Sequence, residues 1–468
     1  MRRMRLFYEA APAGCGDFIP FWHDGAYYLF YLHGRERLDV GLLVTSDWTN
    51  VQDKGIVLAK GGDDDQDRSI GTGCIVRRDE RFHFYYTGFN PAFKSREGAH
   101  EQVLMRAVSD DLVHWTKDAD WRLAPGPSSR YRGDEAWRDP HIFRNEEDGR
   151  YWMILTTQTR EGPAPERASE RRTGLGCVAL FASDDLDEWE ERDPLLATGW
   201  YDAPECPDLF RIGDWWYLLF SEYRDLWTMH YRMSRSPRGP WLAPADDALD
   251  GKAFYAAKTA FDGERRMLVG WTAGKEGGKD GGKYEWGGCL TVHELGQRPD
   301  GTLTMRPPDS IERGFRSAAT SAALRAPVET IDAGAGLRYD LLSEMPDLCM
   351  ISVELEWEPG TAGCGLLLHA APGLNDGYML WLEPGRGVLK FDRWLRPWDY
   401  PAMERTCALS GTRARLKAIR SGTTIAVYVN DETALSARAY ELQGGRFGLF
   451  ASGGRAAFRN VSIGTPEL

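Results

Sequence analysis

The chain has 468 residues, a length that fits one large domain or two of ordinary size, and we expect two. Aromatic residues make up 12% of the chain and supply a large core, which excludes disorder as its main state. The 70 acidic residues outnumber the 57 basic ones, and this net charge of -13 argues against nucleic acid or an anionic membrane surface as a partner and favours neutral or cationic ligands.

The abundance of turn-forming residues determines the expected fold class. With 51 glycines and 25 prolines and without long helix-forming stretches, the sequence predicts many short strands and an all-β protein. No run of 18 apolar residues occurs, and the basic residues at the start are not followed by an apolar segment, so we expect a cytoplasmic protein without a membrane partner. The eight cysteines lie far apart without a Cys-x-x-Cys pair, which predicts reduced, buried thiols.

One short pattern occurs five times in the first part of the chain. Each copy has an apolar strand, a turn with Gly or Asp and an aromatic-rich strand, and the copies begin at Asp17, Gly73, Asp139, Asp208 and Lys258. In the first four copies a third strand follows, with a polar turn that ends in a tryptophan. The spacing suits a four-stranded antiparallel blade, so the repeat predicts a five-bladed β-propeller. The alternative is a generic antiparallel sandwich, which would repeat hairpins but not this whole order of elements.

The repetition stops near Pro307 and Pro308. We therefore predict a propeller over residues 1–308, a linker over 309–330 and a second domain over 331–468. In the second domain, residues 351–357 alternate between apolar and polar, and a turn is predicted at 375–377. Strands of period two at this spacing predict a C-terminal β-sandwich.

Three acidic residues stand at strand starts in different copies. Asp17 opens the first copy, Asp139 opens the third, and Glu205 lies just before the fourth. Because the innermost strands of a propeller converge on one mouth of the channel, these carboxyl groups are expected to lie close together and to raise the pKa of at least one of them. A glycosidase needs a proton donor beside an ionised carboxylate, which such a group provides.

The neighbouring polar residues have simpler interpretations. A single Asp at a strand start is more often a turn residue than a catalyst. That interpretation is kept for Asp24, Asp148 and Asp208. Arg138 precedes Asp139, and its guanidinium would contact sugar hydroxyls or hold the carboxylate, with a surface ion pair as the alternative.

Several motifs in combination resemble one known family. They are Arg138-Asp-Pro140, Glu205-Cys-Pro-Asp-Leu-Phe210, Gly71-Thr-Gly73, Tyr86-Thr-Gly88 and Trp286-Gly-Gly-Cys-Leu-Thr-Val-His-Glu-Leu295. Over nearly its whole length the chain resembles glycoside hydrolase family 32, which comprises invertases, levanases, inulinases and fructosyltransferases. The resemblance implies a five-bladed propeller followed by a β-sandwich, the same architecture that the repeat predicts.

The resemblance also implies a retaining double displacement. Asp17 would be the nucleophile that forms a glycosyl-enzyme intermediate, Glu205 the acid/base, and Asp139 the residue that stabilises the transition state through ring hydroxyls. Retention predicts that the Asp17 and Glu205 carboxyl groups lie roughly 5 Å apart, against about 6.5 Å or more for inversion. Substrate-binding roles are expected for Arg138, Thr72, Trp271 and Trp286.

The segment around Asp17 departs from the family pattern. The family has Trp-Met-Asn-Asp-Pro-Asn-Gly, whereas this chain has Gly14-Cys-Gly-Asp-Phe-Ile-Pro20, and Leu32 stands where the family has Gln. In the family these positions help to hold the fructosyl unit. We expect hydrolysis of terminal β-fructofuranosyl units from small fructosides or fructo-oligosaccharides. The alternatives are a furanosidase for another sugar, such as a β-arabinofuranosidase, a fructosyltransferase, and a non-catalytic sugar-binding propeller.

A small-molecule carbohydrate is the expected partner. The double displacement requires no metal and no organic cofactor, so neither is predicted. The acidic run at residues 63–67 could bind a cation, but such a run is usually a solvated loop. The sequence predicts no particular oligomeric state.

Overall fold

The computed structural model describes residues 4, 6–10, 14–94, 98–161, 174–224, 227–316, 328–394 and 403–466. Within these ranges nearly all regular structure is β-strand, as the composition predicts. The exceptions are one α-helix, α1 (Asp309–Arg316), and three single-turn 3₁₀ helices at Pro91–Phe93, Glu276–Gly278 and Pro372–Leu374. Among the described residues, no helix is long and apolar enough to cross a membrane.

Twenty strands between residues 15 and 306 group into five antiparallel units of four. The first unit has β1 (Cys15–His23), β2 (Ala26–His33), β3 (Asp39–Thr45) and β4 (Gln52–Leu58), and the second has β5 (Ser69–Arg78), β6 (Arg81–Phe89), β7 (Gln102–Ser109) and β8 (Thr116–Leu123). The third has β9 (Tyr131–Arg144), β10 (Tyr151–Thr159), β11 (Gly176–Ser183) and β12 (Glu190–Glu191). The fourth has β13 (Glu205–Ile212), β14 (Trp215–Glu222), β15 (Thr228–Ser234) and β16 (Ala248–Leu249), and the fifth has β17 (Phe254–Phe261), β18 (Arg266–Lys275), β19 (Tyr284–Gln297) and β20 (Leu303–Arg306).

The five copies of the sequence pattern fall on the first and second strands of these units. The first strands of successive units contact one another, β1 with β5, β5 with β9, β9 with β13 and β13 with β17. Strand β17 contacts β1 in turn, and Cys15 at the start of β1 pairs with Gly288 in β19, which joins the first and fifth units in one sheet. Each first strand therefore has two other first strands as neighbours.

Apolar side chains fill the space between neighbouring units. Phe30 of the first unit packs against Phe84 of the second, with ring centroids 5.7 Å apart. Phe143 of the third unit packs against Trp216 of the fourth in the same way, at 6.2 Å. The units are thus held by the burial of large rings, each of which contributes about 2 to 3 kcal/mol when fully removed from water.

The polar turn after the third strand has the same hydrogen bonds in the first three units. A hydroxyl oxygen accepts from the backbone N–H three residues on, where φ is positive, in the pairs Thr45 and Trp48, Ser109 and Leu112, and Ser183 and Leu186. An aspartate two residues after the hydroxyl accepts from two further backbone N–H groups: Asp47, Asp111 and Asp185. These side-chain acceptors replace backbone partners in the turn, which explains why the Ser-Asp pattern repeats.

The remaining strands form two six-stranded antiparallel sheets. One has the order β21, β32, β23, β28, β29, β30 and the other β22, β31, β24, β25, β26, β27. The strands are β21 (Thr330–Asp332), β22 (Leu337–Glu344), β23 (Leu348–Trp357), β24 (Gly363–Ala370), β25 (Gly377–Glu383), β26 (Val388–Trp394), β27 (Met403–Thr406), β28 (Arg413–Ser421), β29 (Thr424–Val429), β30 (Thr433–Arg438), β31 (Arg446–Ser452) and β32 (Arg455–Gly464). Buried residues of both sheets, such as Leu416 and Leu366, belong to one hydrophobic core.

The segment predicted as a linker, residues 309–330, begins with α1. Ile311 and Phe315 of this helix are buried in the core that also contains residues of the fifth unit. Residues 317–327 of the segment lie outside the described residues. The boundaries predicted from the sequence remain predictions.

A buried polar network joins the fourth and fifth units to β29 and β30 of one large sheet. Asp250 Oδ2 lies 2.8 Å from His293 Nε2 and accepts a hydrogen bond from Ser436 Oγ at 2.6 Å. His293 Nδ1 lies 2.9 Å from the hydroxyl of Tyr428. Both side chains of the Asp250 and His293 pair are fully buried, so the pair depends on these partners for the hydrogen bonds that water would otherwise supply.

We expect Asp250→Ala to lower the free energy of unfolding by about 3 kcal/mol, because it leaves His293 and Ser436 buried without their acceptor. Urea unfolding at pH 7 measures the change. Asp214→Ala, at a side chain that is 83% exposed, is the matched control and should change stability by less than about 0.5 kcal/mol. Equal stability of the two variants would contradict a bracing role for the network.

Candidate active site

Four of the five first strands carry the same β-bulge. In each, two residues stand opposite one residue of the second strand: Asp17 and Phe18, Asp139 and Pro140, Cys206 and Pro207, Ala256 and Ala257. The first residue of every bulge has a positive φ, between 46° and 61°. Residues other than glycine rarely adopt this conformation, and bulges of this kind redirect side chains next to active sites. The register of β5 shifts at the corresponding place, around Thr72.

The bulges surround one cavity of about 210 Å³. Its lining includes side chains from all five first strands: Asp17, Thr72, Arg138, Asp139, Glu205, Cys206 and Tyr255. Trp286 of β19 lines it as well. The structure thus brings together the three acidic residues singled out in the sequence and three of the four residues expected to bind substrate.

Trp271, the fourth of those residues, has a different position. It is fully buried and is absent from the described lining of the cavity. Its indole Nε1 donates a hydrogen bond to Asp17 Oδ1 at 3.0 Å. Trp271 therefore contacts the carboxylate that the cavity presents, and it fixes the orientation of that group.

Asp17 is the acid whose protonation the site alters most. Burial raises the pKa of Asp17 to about 7, and the Asp139 and Glu205 carboxylates add to the rise, while the hydrogen bond from Trp271 opposes it. The expectation that clustered acids raise one pKa is thus met at Asp17. A carboxyl group with this pKa changes its charge near neutral pH.

Asp139 is held by hydrogen bonds from three strands. Its Oδ2 accepts from the backbone N–H of Cys206 at 3.0 Å and from Thr156 Oγ1 at 3.3 Å. Its own backbone N–H donates to Thr87 Oγ1 at 3.0 Å. The carboxylate is therefore fixed at the junction of the second, third and fourth units, with one edge towards the cavity.

Both oxygens of Glu205 have a donor. Arg138 Nη2 lies 2.8 Å from Oε1, and the hydroxyl of Tyr255 donates to Oε2 at 2.6 Å. Burial raises the pKa of Tyr255 well above its usual range and Glu205 adds to this, so the phenol keeps its proton. Burial lowers the pKa of Arg138, but the Glu205 and Asp139 carboxylates outweigh it, so Arg138 stays charged.

Two of these contacts were not found from the sequence. Tyr255 lies three residues before Lys258, where the repeated pattern was judged to begin, and it precedes its bulge as Glu205 and Arg138 precede theirs. Gln102 Oε1 accepts hydrogen bonds from the Trp137 backbone N–H at 3.0 Å and from Arg138 Nη1 at 3.4 Å. Aligning the copies at the bulge, rather than at the apolar strand, is the signal that would have identified Tyr255.

We expect Tyr255→Phe to lower kcat/KM for the preferred substrate about 10-fold to 100-fold, because it removes a hydrogen bond to a charged group worth about 1.5 to 3 kcal/mol. Steady-state kinetics measure the change. Tyr217→Phe, at a buried tyrosine whose hydroxyl donates to Gly301 away from the cavity, is the matched control. If both variants lose activity equally, the hydroxyl of Tyr255 has no specific effect on Glu205.

The substituted segment around Asp17 has a structural counterpart. A Cβ atom on Gly16 would lie 3.0 Å from the ring of Trp286, so the ring occupies the space of a side chain at this position. Leu32, Leu38, Ile70 and Phe89 form an apolar wall of the cavity. The side of the cavity next to β1 thus offers contacts with carbon atoms and few hydrogen bonds.

Within the described ranges, no group of three or more His, Cys, Asp or Glu side chains is arranged to hold a metal ion. The absence of a metal or cofactor requirement stays a prediction from the sequence.

Comparison with known families gives a direct result. A family model described as the glycosyl hydrolases family 32 N-terminal domain matches residues 19–307. The chain belongs to glycoside hydrolase family 32. It is therefore a glycoside hydrolase, which favours the enzymatic hypotheses over that of a non-catalytic sugar-binding protein. The match begins after Asp17, next to the segment in which this family 32 chain departs from the usual pattern.

Individual relatives are distant but extensive. The family 32 chain is 24% identical over 458 residues to a sucrose-6-phosphate hydrolase of Zymomonas mobilis, covering 91% of this chain and 79% of the relative. It is 23% identical over 469 residues to a sucrose-6-phosphate hydrolase of Escherichia coli, covering 94% and 90%. Its fold is similar to that of fructan 1-exohydrolase IIa from Cichorium intybus, with a TM-score of 0.75, 15% identity and coverage of 100% and 98%.

Proposed function

We propose that this family 32 enzyme hydrolyses terminal β-fructofuranosyl units of small fructosides or fructo-oligosaccharides with retention of configuration. The observation that carries the proposal is the convergence of Asp17, Asp139 and Glu205 on one cavity. The names of the relatives, which include sucrose-6-phosphate hydrolases and a raffinose invertase of Escherichia coli, support the sugar. A cavity of about 210 Å³ is below the usual range for larger ligands and suits one terminal sugar ring.

The roles follow from the contacts of each acid. Asp17, oriented by Trp271, attacks the anomeric carbon and forms the glycosyl-enzyme intermediate. Glu205 protonates the leaving oxygen and afterwards takes a proton from the attacking water. Asp139, fixed by the Cys206 N–H, accepts hydrogen bonds from ring hydroxyls in the transition state. Thr72, whose buried Oγ1 has no hydrogen-bond partner among the described residues, bonds the substrate.

The proton distribution differs between the free and the occupied site in this proposal. In the free site the raised pKa lies on Asp17, and Arg138 donates a hydrogen bond to Glu205. The reaction needs the opposite distribution. A glycosidic oxygen close to Glu205 accepts a hydrogen bond only from the protonated acid, so substrate binding favours the proton on Glu205 and the charge on Asp17.

We also propose the architecture expected from the sequence. The five four-stranded units would be the blades of a closed β-propeller, which the contacts of β17 with β1 support. The two six-stranded sheets with their common core would be a β-sandwich, with boundaries near residues 308 and 331. The eight cysteines are free and buried, which fits the cytoplasmic location that we propose.

The charge of the cavity bears on the leaving group. Among the described lining residues Arg138 is the one basic side chain, and it is paired with Glu205 and lies 3.6 Å from Asp139. A phosphate group on the ring inside the cavity would meet three carboxylates, and one on the leaving sugar would lie beside them, in both cases without an unpaired cation among the described lining residues. We therefore propose a neutral fructoside, and not a sugar phosphate, as the substrate.

A different furanoside is the second candidate. Leu32 stands where the family has Gln and lines the cavity together with Leu38 and Phe89, and this favours a sugar with fewer polar groups on that side. Transfer of the glycosyl unit to a second sugar, in place of water, remains compatible with the same roles.

A panel of sugars tests the proposal. Sucrose, sucrose 6-phosphate, 1-kestose and an aryl β-arabinofuranoside are incubated with the parent enzyme, and released sugars are quantified. Hydrolysis of sucrose or 1-kestose above that of sucrose 6-phosphate is expected, with the retained anomer in the first NMR spectra. Preferential cleavage of the arabinofuranoside would replace the fructoside, longer oligosaccharides at high sucrose would indicate transfer, and an inverted anomer would refute the double displacement.

A further inference from the structure

Lys258 crosses the space enclosed by the first strands. It follows the bulge of β17 and is 3% exposed, and its Nζ donates a hydrogen bond to the backbone carbonyl of Gly73 at 2.7 Å. Gly73 lies on β5, and β1 stands between β5 and β17, so this side chain connects units that are not neighbours. Gly73 follows Thr72, which lines the cavity. The ammonium group is therefore held outside the cavity lining, next to a strand that contributes Thr72, and its charge opposes the rise in the pKa of Asp17 that burial causes.

Lys258 reduces the excess of negative charge in the enclosed site to one. Asp17, Asp139 and Glu205 carry three negative charges when ionised, and Arg138 and Lys258 carry two positive ones. A buried site with uncompensated charge is costly, so one proton shared among the three acids gives the favourable neutral state. A retaining glycosidase requires this state, with one protonated acid and one ionised nucleophile.

The other groups near Lys258 do not supply a second cation to the acids. Asp208 on β13 lies 3.3 Å from His141 on β9, and burial lowers the pKa of His141, so that the imidazole is neutral at pH 7. Asp208 accepts a hydrogen bond from the Thr259 backbone N–H at 2.6 Å, and burial lowers the pKa of Arg266 on β18 while Asp208 opposes this. Burial raises the pKa of the Cys74 thiol to about 12, and that of Cys206 well above its usual range, so both thiols are neutral.

We propose that Lys258 is a positioning residue for catalysis, whose ammonium group, anchored across the channel on the Gly73 carbonyl, favours the charged form of Asp17 and so makes the nucleophile available once the bound substrate draws the single proton to Glu205. The inference rests on the proposed retaining mechanism. Without the cation a neutral site needs two protons, and the second one occupies the nucleophile. Lys258 acts on the reaction through Asp17 and has no contact with the substrate in this proposal.

The pH profile of kcat/KM tests the proposal, because it reports the ionisation of the free enzyme. Sucrose or 1-kestose is the substrate, whichever the parent hydrolyses. The rise of kcat/KM with pH, the ascending limb of the profile, reports the ionisation of Asp17. In Lys258→Met this limb is expected to move to a pH about one unit or more higher, which lowers kcat/KM at pH 6 about 10-fold. Lys258→Arg is expected to restore the limb. Lys275→Met, at a buried lysine that donates to the Asp280 carbonyl, is the matched control and should leave the limb in place.

A loss of kcat/KM at every pH without movement of the limb would overturn the proposal, since a merely structural lysine gives that result. The same shift in Lys275→Met would overturn it as well. If Lys258→Met does not fold, Lys258→Gln replaces it, because the amide retains a hydrogen-bond donor without the charge.

A second measurement separates this inference from the proposed function. The difference in unfolding free energy between Asp17→Asn and its parent is measured against pH, with Lys258 and with Met at position 258. The pH at the midpoint of this dependence reports the ionisation of Asp17 without any substrate. That pH should rise by about one unit or more when the lysine is replaced. If no fructoside is cleaved but the midpoint rises, the proposed function fails and the effect of Lys258 on Asp17 stands. If the midpoint does not move, the inference about Lys258 fails.

Discussion

Asp17→Asn is expected to abolish turnover and to make the protein more stable as the pH rises. Removal of the nucleophile should lower kcat on the order of 10⁴-fold or more. The stability gain follows from the pKa of about 7, against 3.8 in an unfolded chain. Because the pKa of Asp17 is higher in the folded protein than in the unfolded chain, the parent is most stable at low pH, where Asp17 is protonated in both states. Between about pH 4 and pH 7 Asp17 is charged in the unfolded chain but protonated in the folded protein, so the parent loses stability as the pH rises. The asparagine avoids this loss.

The shift of about three units in the pKa of Asp17 corresponds to a loss of about 4 kcal/mol in the unfolding free energy of the parent above pH 7. Between pH 5 and pH 8 the unfolding free energy of Asp17→Asn should therefore rise relative to that of the parent by about 2 to 3 kcal/mol. Urea unfolding at several pH values gives the difference. Asp24→Asn, in a turn of the same unit where the side chain is 84% exposed, should keep full activity and a stability difference that does not depend on pH. A constant difference for Asp17→Asn would show that Asp17 is ionised throughout this range.

Glu205→Gln is expected to slow the enzyme according to the leaving group. The glutamine can accept from Arg138 with its oxygen and donate to the Tyr255 oxygen with its amide, so the site should retain its shape. Loss of the proton donor should lower kcat/KM for sucrose about 10³-fold to 10⁴-fold. A fructoside with a nitrophenol leaving group needs little protonation, and its cleavage to the glycosyl-enzyme should fall far less.

Pre-steady-state release of the phenol measures that first step directly. A burst followed by slow turnover is expected, because Glu205 must also activate water in the second step. Glu188→Gln, an exposed change in the third unit, is the control. An equal loss for both leaving groups would assign Glu205 a role other than proton transfer.

The residues of the site could be predicted where they belong to the repeated sequence pattern. The positions of Asp17, Asp139 and Glu205 were readable because each stands near the start of a repeated strand, and strands of equal rank meet at one place. Tyr255 was missed because the fifth copy is weak before Lys258, where Ala-Ala stands at the bulge that carries an aspartate in the first and third copies. The bulge itself is a property of backbone register and φ, which no residue type at these positions specifies.

Contacts between side chains of distant copies could not be predicted from the sequence, for a different reason. The resemblance implied a substrate-binding role for Trp271, but the side on which an indole packs depends on its neighbours in three dimensions. Lys258 was noted only as the beginning of a copy, because its partner is a backbone carbonyl of a unit elsewhere in the chain. Local patterns indicate elements and strand ends, and the pairing of side chains across the molecule requires their placement.

The repeated bulge has a consequence for protein engineering. The same backbone bend occurs at Asp17, Asp139, Cys206 and Ala256, and all four bends already tolerate a side chain at positive φ. Cys206 and Ala256 are thus positions where a new polar group can be introduced with the orientation that evolution gave to two aspartates, without redesign of the main chain. Variation of sugar preference in a library would begin at these two residues, and it would leave the hydrogen-bonded framework of the strands unchanged.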